Sequence, residues 1–129
     1  MFYKAEVWCL SEEELPSQLQ EQLARLQQMQ QTLQVVASQK QQLELELLEI
    51  DQALSELEKV SDDAVIYKSV GSLLVRSEKG KVTSDLKERR ELANMRISVL
   101  GRQEERLRSQ IKELQAKLQR DLRPLSRQS

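Results

Sequence analysis

The chain has 129 residues, of which 32% are charged and only 3% aromatic, and its formal net charge is −1. The apolar residues are mainly leucines set among Gln, Glu, Lys and Arg, a composition typical of long helices rather than of a compact core. Histidine is absent and Cys9 is the only cysteine, which excludes an intrachain disulfide and removes the commonest general base and metal ligand. We therefore expect no enzyme activity, no catalytic residue, no metal and no cofactor.

The small net charge hides two segments of opposite sign. Residues 11–63 contain twelve acidic and three basic side chains, whereas residues 83–125 contain eleven basic and seven acidic ones. Opposite charge favours the pairing of these two segments with each other and disfavours pairing of either with itself. Because each exposed ion pair contributes only about 0–1 kcal/mol, the asymmetry selects partners more than it stabilises them.

Residues 1–10, MFYKAEVWCL, are predicted to be an N-terminal extension, and their role is not indicated by the sequence. The segment is too short and too charged for a signal peptide. No uninterrupted apolar run in the chain approaches the ~20 residues that span a bilayer. We expect a soluble, cytoplasmic protein.

Residues 11–60 are predicted to form the first helix of a coiled coil. Six heptads follow one another, with apolar residues at ten of the twelve a and d positions, which is a strong coiled-coil pattern. Ser11 and the three glutamates after it predict an N-cap and an acidic first turn. The a positions are Leu19, Leu26, Leu33, Lys40, Leu47 and Leu54, and the d positions are Gln22, Met29, Val36, Leu43, Ile50 and Leu57.

Residues 61–82 interrupt the heptads with β-branched residues and predict a β-hairpin. We expect strands at 64–70 and 73–76, a tight turn at Gly71 and Ser72, and a second turn at 78–81. A two-stranded sheet is marginal alone and leaves both edges unpaired, so this segment is predicted to be an oligomerisation module. We expect one face to carry Val65, Tyr67, Leu73 and Val75, and the alternate face Ile66, Val70 and Leu74.

Residues 83–123 predict the second helix, with 124–129 as a C-terminal tail because Pro124 is expected to end the helix. The d positions are Leu86, Ala93, Leu100, Leu107, Leu114 and Asp121, and the a positions are Arg90, Ile97, Glu104, Ile111, Leu118 and Leu125. A connection of about twenty residues between the helices forces an antiparallel arrangement. In that register Lys40 falls near Glu104 and Gln22 near Asp121, and we interpret Lys40 with Glu104 as a pair that fixes the register.

The fold predicted from these elements is mainly α: an antiparallel helical-hairpin coiled coil with a short β-hairpin between the helices. At this point the chain resembles the prefoldin family, and in particular the archaeal β-type subunit. The resemblance is carried by DDAVIYKSVGSLLVRSEKGKV in the insert and LPSQLQEQLARLQQMQQTLQVVASQKQQLELEL in the first helix. Subunits of the α type carry two hairpins, and the insert here has room for one.

The resemblance implies an ATP-independent chaperone. Two α-type and four β-type subunits would join their hairpins into a β-barrel head, from which six coiled-coil arms extend. The arm tips would hold unfolded client proteins and pass them to a group II chaperonin. We expect no nucleic-acid or membrane partner.

The candidate client-binding residues are the leucines predicted at the end of the coil away from the hairpin. Leu23 and Leu122 occupy e positions, so we expect pairing within the chain to leave them incompletely buried; the other tip leucines could equally serve only to hold the coil together. A further off-seam set nearer the hairpin is expected to pack against neighbouring subunits or the head: Leu45, Leu48, Leu92, Met95 and Val99. The full tip set is Leu15, Leu19, Leu23, Leu26, Leu118, Leu122 and Leu125.

Two other functions are compatible with parts of the sequence. A structural coiled-coil scaffold or tether would need no client site, but a rod gains nothing from a hairpin that interrupts its heptads. A nucleic-acid binder could use the arginines of the second helix, but acidic residues alternate with them and no aromatic residues accompany them for base stacking. Those arginines are Arg89, Arg90, Arg102, Arg106 and Arg108.

Overall fold

The computed structural model describes the backbone of residues 16–128 and the side chains of residues 16–123. It contains helix α1 (Ser17–Glu58), strands β1 (Ile66–Val70) and β2 (Leu73–Ser77), and helix α2 (Lys79–Gln128). The predicted mainly α fold, with one β-hairpin between two long helices, is confirmed. The N-terminal extension and the proposed cap at Ser11 lie outside the described residues.

Helix α1 begins directly after Pro16, whose carbonyl oxygen accepts a 3.0 Å hydrogen bond from the Gln20 amide. Proline suits this position because its missing N–H would have no partner inside the helix. At the other end the amides of Lys59 and Val60 bond three residues back, to Glu56 at 3.1 Å and Leu57 at 3.2 Å. These tighter i→i−3 bonds close the final turn.

Helix α2 is longer than the sequence predicted at both ends. It begins at Lys79 rather than Thr83, with the Val82 amide donating to the Glu78 carbonyl at 3.0 Å. Glycine destabilises a helix mainly when it lies in the interior, so Gly80 is tolerated in the first turn. Nor does Pro124 end the helix, which continues to Gln128. A proline removes one backbone hydrogen bond and can bend a helix without terminating it.

The heptad assignment agrees with the burial of side chains in both helices. All twelve predicted a and d positions of α1 are buried or half-buried, and so are all eleven of those in α2 whose side chains are described. The apolar seam therefore faces inward along both helices, as expected for coiled-coil packing.

The described chain divides into two compact units. The terminal unit consists of the residues up to Ala37 together with those from Arg102 onward, and the hairpin unit runs from Ser38 to Gly101. In the terminal unit Leu19 packs with Leu118 and Leu122, so the beginning of α1 lies beside the end of α2. In the hairpin unit Leu43, Ile50, Leu54 and Ala93 are buried.

The β-hairpin has a two-residue turn that fixes its register. Strands β1 and β2 pair antiparallel, with Val70 opposite Leu73 and Ile66 opposite Ser77. Gly71 has a φ of 59°, and no described residue other than a glycine has a positive φ. Glycine at the first turn position with an ordinary φ at Ser72 is the pattern of a type II′ hairpin turn.

This register corrects the predicted assignment of faces. Residues directly opposite each other in a sheet point to the same face. Leu73 and Val75 therefore share a face with Ile66 and Val70, whereas Leu74 shares the other face with Tyr67. The prediction failed because it alternated faces without pairing the residues on either side of the two-residue turn.

Candidate subunit and client interfaces

Apolar side chains cover both faces of the hairpin, and they are largely exposed. Leu74 is 72% exposed, Leu73 67% and Tyr67 62%. Ile66 is half-buried. These exposures contradict a hairpin that merely caps its own coil, because its large side chains pack against little of the chain. We define the hairpin surface as the exposed residues Val65, Tyr67, Val70, Leu73, Leu74 and Val75.

The loop between α1 and β1 is held in place by Lys79, from the first turn of α2. Its ammonium Nζ donates to the carbonyl oxygen of Val60 at 2.7 Å and lies 3.2 Å from Asp62 Oδ1. Lys79 is only about one-fifth exposed, so these contacts anchor the base of the hairpin. Lys79 was predicted to lie in a turn, and its anchoring role was not predicted, because a contact between residues nineteen positions apart leaves no local pattern in the sequence.

Within the same loop the Ser61 hydroxyl donates a hydrogen bond to Asp63 Oδ1. This bond, together with one from the backbone of Asp63 itself, lowers the pKa of the Asp63 carboxyl below its ordinary value. A hydrogen bond donated to a carboxylate favours its charged form. The Ala64 amide also bonds the Ser61 carbonyl at 3.1 Å, so the chain turns tightly before it enters β1.

Two ion pairs join α1 and α2 in the hairpin unit. Arg89 Nη2 lies 2.9 Å from Glu46 Oε1, and Arg90 Nη1 lies 3.6 Å from Asp51 Oδ1. Both pairs join an acidic residue of α1 to an arginine of α2, in agreement with the opposite charges of the two helices. All four side chains are at least two-fifths exposed, so each pair adds at most about 1 kcal/mol.

Three of the predicted tip leucines form the core of the terminal unit. Leu118 is 2% exposed, Leu19 5% and Leu122 8%. Leu122 was expected to remain incompletely buried at its e position, and that expectation was wrong. In an antiparallel pair an e residue flanks the seam, and here Leu122 packs against Leu19 and Leu118.

Leu23 and Leu26 pack against this core but are only half-buried. They line a groove of about 470 Å³, of which Leu118 forms part. Its other lining residues are glutamines, so the groove has an apolar floor and an uncharged polar rim. The part that these glutamines play in a groove was not predicted, because side chains beside a coiled-coil seam are usually solvated. We define the leucine–glutamine groove as Leu23, Leu26, Gln27, Gln30, Gln115, Leu118 and Gln119.

The remaining predicted residues are placed only in part. Leu15 lies outside the described residues, and Leu125 lies in the helical backbone of α2 with its side chain not described. Lys40 and Glu104 are both half-buried, and Glu104 Oε2 lies 4.0 Å from Arg108 Nη2 of its own helix. The pairing of Lys40 with Glu104 stays a prediction.

Gln22 is the polar residue at a d position of the terminal unit. It is 8% exposed, and its Oε1 accepts no hydrogen bond from the described protein. A buried acceptor without a partner destabilises the fold by about 1–3 kcal/mol. Gln22 therefore weakens the seam next to the tip leucines, and its predicted proximity to Asp121 stays untested.

Two kinds of site were not found in the part of the chain that the structure describes. No helix between residues 16 and 128 is long and apolar enough to cross a membrane. No group of three or more potential metal-ligating side chains comes together among the described residues.

Comparison with known proteins identifies the family. The family model for prefoldin subunits matches residues 20–123, which include nearly all of both helices and the whole hairpin. This chain belongs to the prefoldin family. The match begins after residues 1–10, so the prefoldin assignment gives no account of the predicted extension.

Known prefoldin β subunits resemble this chain over most of its length. It is 46% identical to prefoldin subunit beta of Thermococcus kodakarensis over 110 residues, which is 85% of this chain and 94% of the relative. It is 47% identical to the beta subunit of Methanosarcina acetivorans, over 86% of this chain and 95% of the relative. The predicted resemblance to the archaeal β-type prefoldin subunit is confirmed.

Solved prefoldin structures agree with the fold. The crystal structure of the prefoldin beta subunit from Thermococcus strain KS-1 matches with a TM-score of 0.74 and 46% identity, covering 86% of this chain and 97% of that one. The beta2 subunit of the same strain matches with a TM-score of 0.63 at 22% identity, over 70% of this chain, and supports the fold alone. The two long helices and the inserted hairpin are thus the architecture of prefoldin β subunits.

Proposed function

We propose that this prefoldin subunit works in an ATP-independent hexamer of two α-type and four β-type subunits in the cytoplasm. The hexamer holds non-native proteins and passes them to a group II chaperonin, and the subunit has no enzymatic step. The observation that carries the proposal is the hairpin surface, in which five large exposed apolar side chains lie on a two-stranded sheet and a sixth, Val65, directly precedes it.

The energetics of the hairpin favour assembly. Full burial of one such side chain contributes roughly 1.5–3 kcal/mol. Strand pairing with another subunit also satisfies the backbone groups that both sheet edges leave open. A β-barrel formed by several hairpins would bury the apolar side chains and pair the open strand edges at the same time.

For client binding we propose the leucine–glutamine groove of the terminal unit. Leu23 and Leu26 offer half-exposed apolar surface, which suits the apolar side chains that an unfolded chain presents. The four glutamine side chains can each donate and accept hydrogen bonds with any peptide backbone. A site of this kind binds without regard to sequence, as a general holder requires.

Each groove is small, so one arm binds weakly. Several arms acting on one client raise the effective affinity by about 10²–10⁴-fold without any new type of contact. Weak individual contacts also allow release without nucleotide hydrolysis. The buried Leu19, Leu118 and Leu122 hold the coil closed, and they could meet a client only if the terminal unit opened.

The assembly part is tested by native mass, measured with and without an α-type partner. Tyr67→Ser combined with Leu74→Ser removes two exposed apolar side chains from one face of the hairpin, and we expect it to abolish the complex while the helical circular dichroism is retained. Ser69→Ala, on the same face, is the matched control and should assemble normally. A wild-type chain that remains a monomer or simple dimer with every α-type partner would contradict the hexamer.

The client part is tested by suppression of aggregation of a chemically denatured protein. Leu23→Ser removes part of the groove floor, and Gln27→Glu with Gln115→Glu adds charge to its rim without removing apolar contacts. Both variants should assemble but hold clients less well, whereas Val35→Ser, exposed in the same unit outside the groove, should act like wild type. Unchanged holding by both groove variants would move the client site elsewhere. A wild-type hexamer without holding activity would favour the scaffold function.

A further inference from the structure

One charged residue, Lys68, lies on the more apolar face of the hairpin. The register places Lys68 opposite Val75. Its side chain is exposed and makes no ion pair within the described chain. The apolar residues that share this face are Ile66, Val70, Leu73 and Val75. An ammonium group without a counter-charge therefore lies in the middle of an apolar patch.

The other cation of the hairpin has a different environment. Arg76 lies on the opposite face, where it is paired with Tyr67. It lines a cavity of about 560 Å³ together with Asp62, Asp63 and Glu78, so carboxylates of the same chain lie near it. Neither strand contains an acidic residue, and Lys68 has no such neighbour on its own face.

The position of Lys68 constrains whatever covers this face. Apolar side chains are stabilised when they leave water, whereas a buried ammonium is costly unless an opposite charge or hydrogen-bond acceptors meet it. Lys68 is the third of the five residues of β1, so its Cα is as far as possible from both ends of the strand. A covering surface therefore has to supply a carboxylate at the middle of the strand.

A second copy of this chain does not supply that group when the two hairpins overlap fully. Lys68 is central in β1, and Val75, opposite it, is central in β2. Two copies stacked on this face bring both Lys68 residues to the same level, whether their strands run parallel or antiparallel. The same is true of two β1 edges paired in full register, where like charges directly opposite each other are destabilising.

A shift of one copy along the other does not remove this repulsion without losing apolar contact. The nearest acidic residues along the chain are Asp63, five positions before Lys68, and Glu78, three positions after Val75. One copy would have to slide by at least three residues to bring either of them to Lys68. A strand of five residues would then keep at most two residues of overlap.

We propose that Lys68 selects the partner of the hairpin. The face around it is covered by an unlike subunit that contributes a carboxylate at the middle of the strand, and Lys68 prevents copies of this chain from covering one another there. The inference rests on the proposed function, in which the unlike subunit is the α-type one. A lysine on an exposed strand is one of the ways in which proteins block unwanted strand pairing.

The first test is self-association of this chain without an α-type partner, measured by sedimentation equilibrium. Lys68→Met keeps the length of the side chain and removes its charge, and it should raise the self-association constant by roughly fivefold or more. Lys81→Met, at an exposed lysine in the first turn of α2, is the matched control and should behave like wild type. Wild type mixed with Lys68→Glu should associate more strongly than either chain alone, because opposite charges then meet at the same level.

The second test is assembly with an α-type partner. Lys68→Met should weaken it several-fold and Lys68→Glu should weaken it further, whereas Lys81→Met should not. Added salt should weaken assembly of the wild-type chain more than assembly of Lys68→Met, because only the wild type uses this charge. Arg76→Met should have a smaller effect than Lys68→Met in both tests, since Arg76 has carboxylates of its own chain nearby.

The outcomes separate this inference from the proposed function. Lys68→Met that behaves like Lys81→Met in both tests would overturn the role of Lys68. Equal effects of Lys68→Met and Arg76→Met would mean that the net charge of the hairpin matters rather than the position of Lys68, and would also overturn it. A wild-type chain that forms no hexamer with any α-type partner would instead remove the proposed function itself.

Discussion

The two units of this chain treat their apolar residues in opposite ways. In the terminal unit Leu19, Leu118 and Leu122 are buried against one another within the chain, and Val35 is the one large apolar side chain among its described residues that is mostly exposed. In the hairpin unit eleven large apolar side chains are exposed, on the hairpin and on the outer sides of both helices. The described part of the terminal unit covers most of its large apolar side chains within the chain, whereas the hairpin unit leaves many of its own uncovered.

This contrast changes the interpretation of the leucines in this prefoldin subunit. A leucine at the coil tip is easily taken as a client contact, yet Leu118 is almost wholly buried. Among the described residues of the terminal unit, Leu23 and Leu26 keep some apolar surface exposed, in the groove bordered by glutamines. Stability and client binding in the terminal unit are therefore expected to depend on different residues.

The difference between the two units is tested most strongly by making one leucine-to-alanine substitution in each of them. Leu118→Ala should lower the free energy of unfolding by about 2–5 kcal/mol, because it opens a cavity in a core that cannot fully collapse. Leu73→Ala, at a position 67% exposed, should change it by less than about 0.5 kcal/mol in the unassembled chain. Urea unfolding at concentrations too low for assembly measures both.

The roles should reverse in the complex, where Leu73→Ala should weaken assembly and Leu118→Ala should not, provided that the coil remains folded. Equal destabilisation of the unassembled chain by both variants would mean that the hairpin is already covered within one subunit.

A second pair of substitutions exploits two glycines with equal space around them. Neither Gly71 nor Gly80 has any atom within 4 Å of the position that a Cβ would take. Gly71→Ala should still destabilise the hairpin by about 1–2 kcal/mol, because its φ of 59° is unfavourable for an L-residue. Gly80→Ala, in the first turn of α2, should be neutral or stabilise by up to about 1 kcal/mol.

The effects of the two glycine variants are read from the subunit concentration at which assembly is half complete. Only Gly71→Ala should raise it. If Gly71→Ala assembles like wild type, the turn conformation does not limit assembly of the hairpin module.

The heptads and the hairpin were predictable from the sequence because each depends on residues close together in the chain. The heptad repeat identified the seam, the β-branched residues identified the strands, and Gly71 identified the turn. The burial of Leu122 depends on the axial stagger of two helices, which an assignment to an e position does not contain. The role of Lys79 depends on a contact with a carbonyl nineteen residues away, and the groove depends on glutamines that two helices bring together.

Helix ends were the least predictable feature for the same reason. Pro124 and Gly80 are residues that often mark a boundary, but a helix that is held by packing along its seam can tolerate either near its ends. Residue types indicate where a helix tends to end, but packing along the seam determined where α2 begins and ends.

A third prediction concerns the seam of the terminal unit, where the buried Oε1 of Gln22 accepts no hydrogen bond from residues whose side chains are described. Gln22→Leu should raise the free energy of unfolding by about 1–2 kcal/mol, since it removes an unsatisfied acceptor and adds apolar contact. Gln31→Leu, at an exposed position of the same helix, should be nearly neutral. Thermal unfolding of the two variants measures the difference.

The same pair of variants reports whether opening of the terminal unit contributes to client holding. If it does, Gln22→Leu should hold clients less well than Gln31→Leu at equal assembly. If the groove alone binds clients, the two variants should hold clients equally well. A lower free energy of unfolding for Gln22→Leu would contradict the predicted stabilisation and would mean that Gln22 fixes the register of the coil.

The smallest predicted effect is the coupling between Lys40 and Glu104, the pair that the sequence suggests as a register lock. A double-mutant cycle with Lys40→Met and Glu104→Gln should give an interaction energy of about 0.2–1 kcal/mol, as for other partly exposed ion pairs. A parallel cycle with Arg108→Gln measures the pair that Glu104 makes within α2. Additive effects in the first cycle, with coupling only in the second, would mean that Glu104 interacts with Arg108 of its own helix and not with Lys40. The register would then be determined by the apolar seam alone.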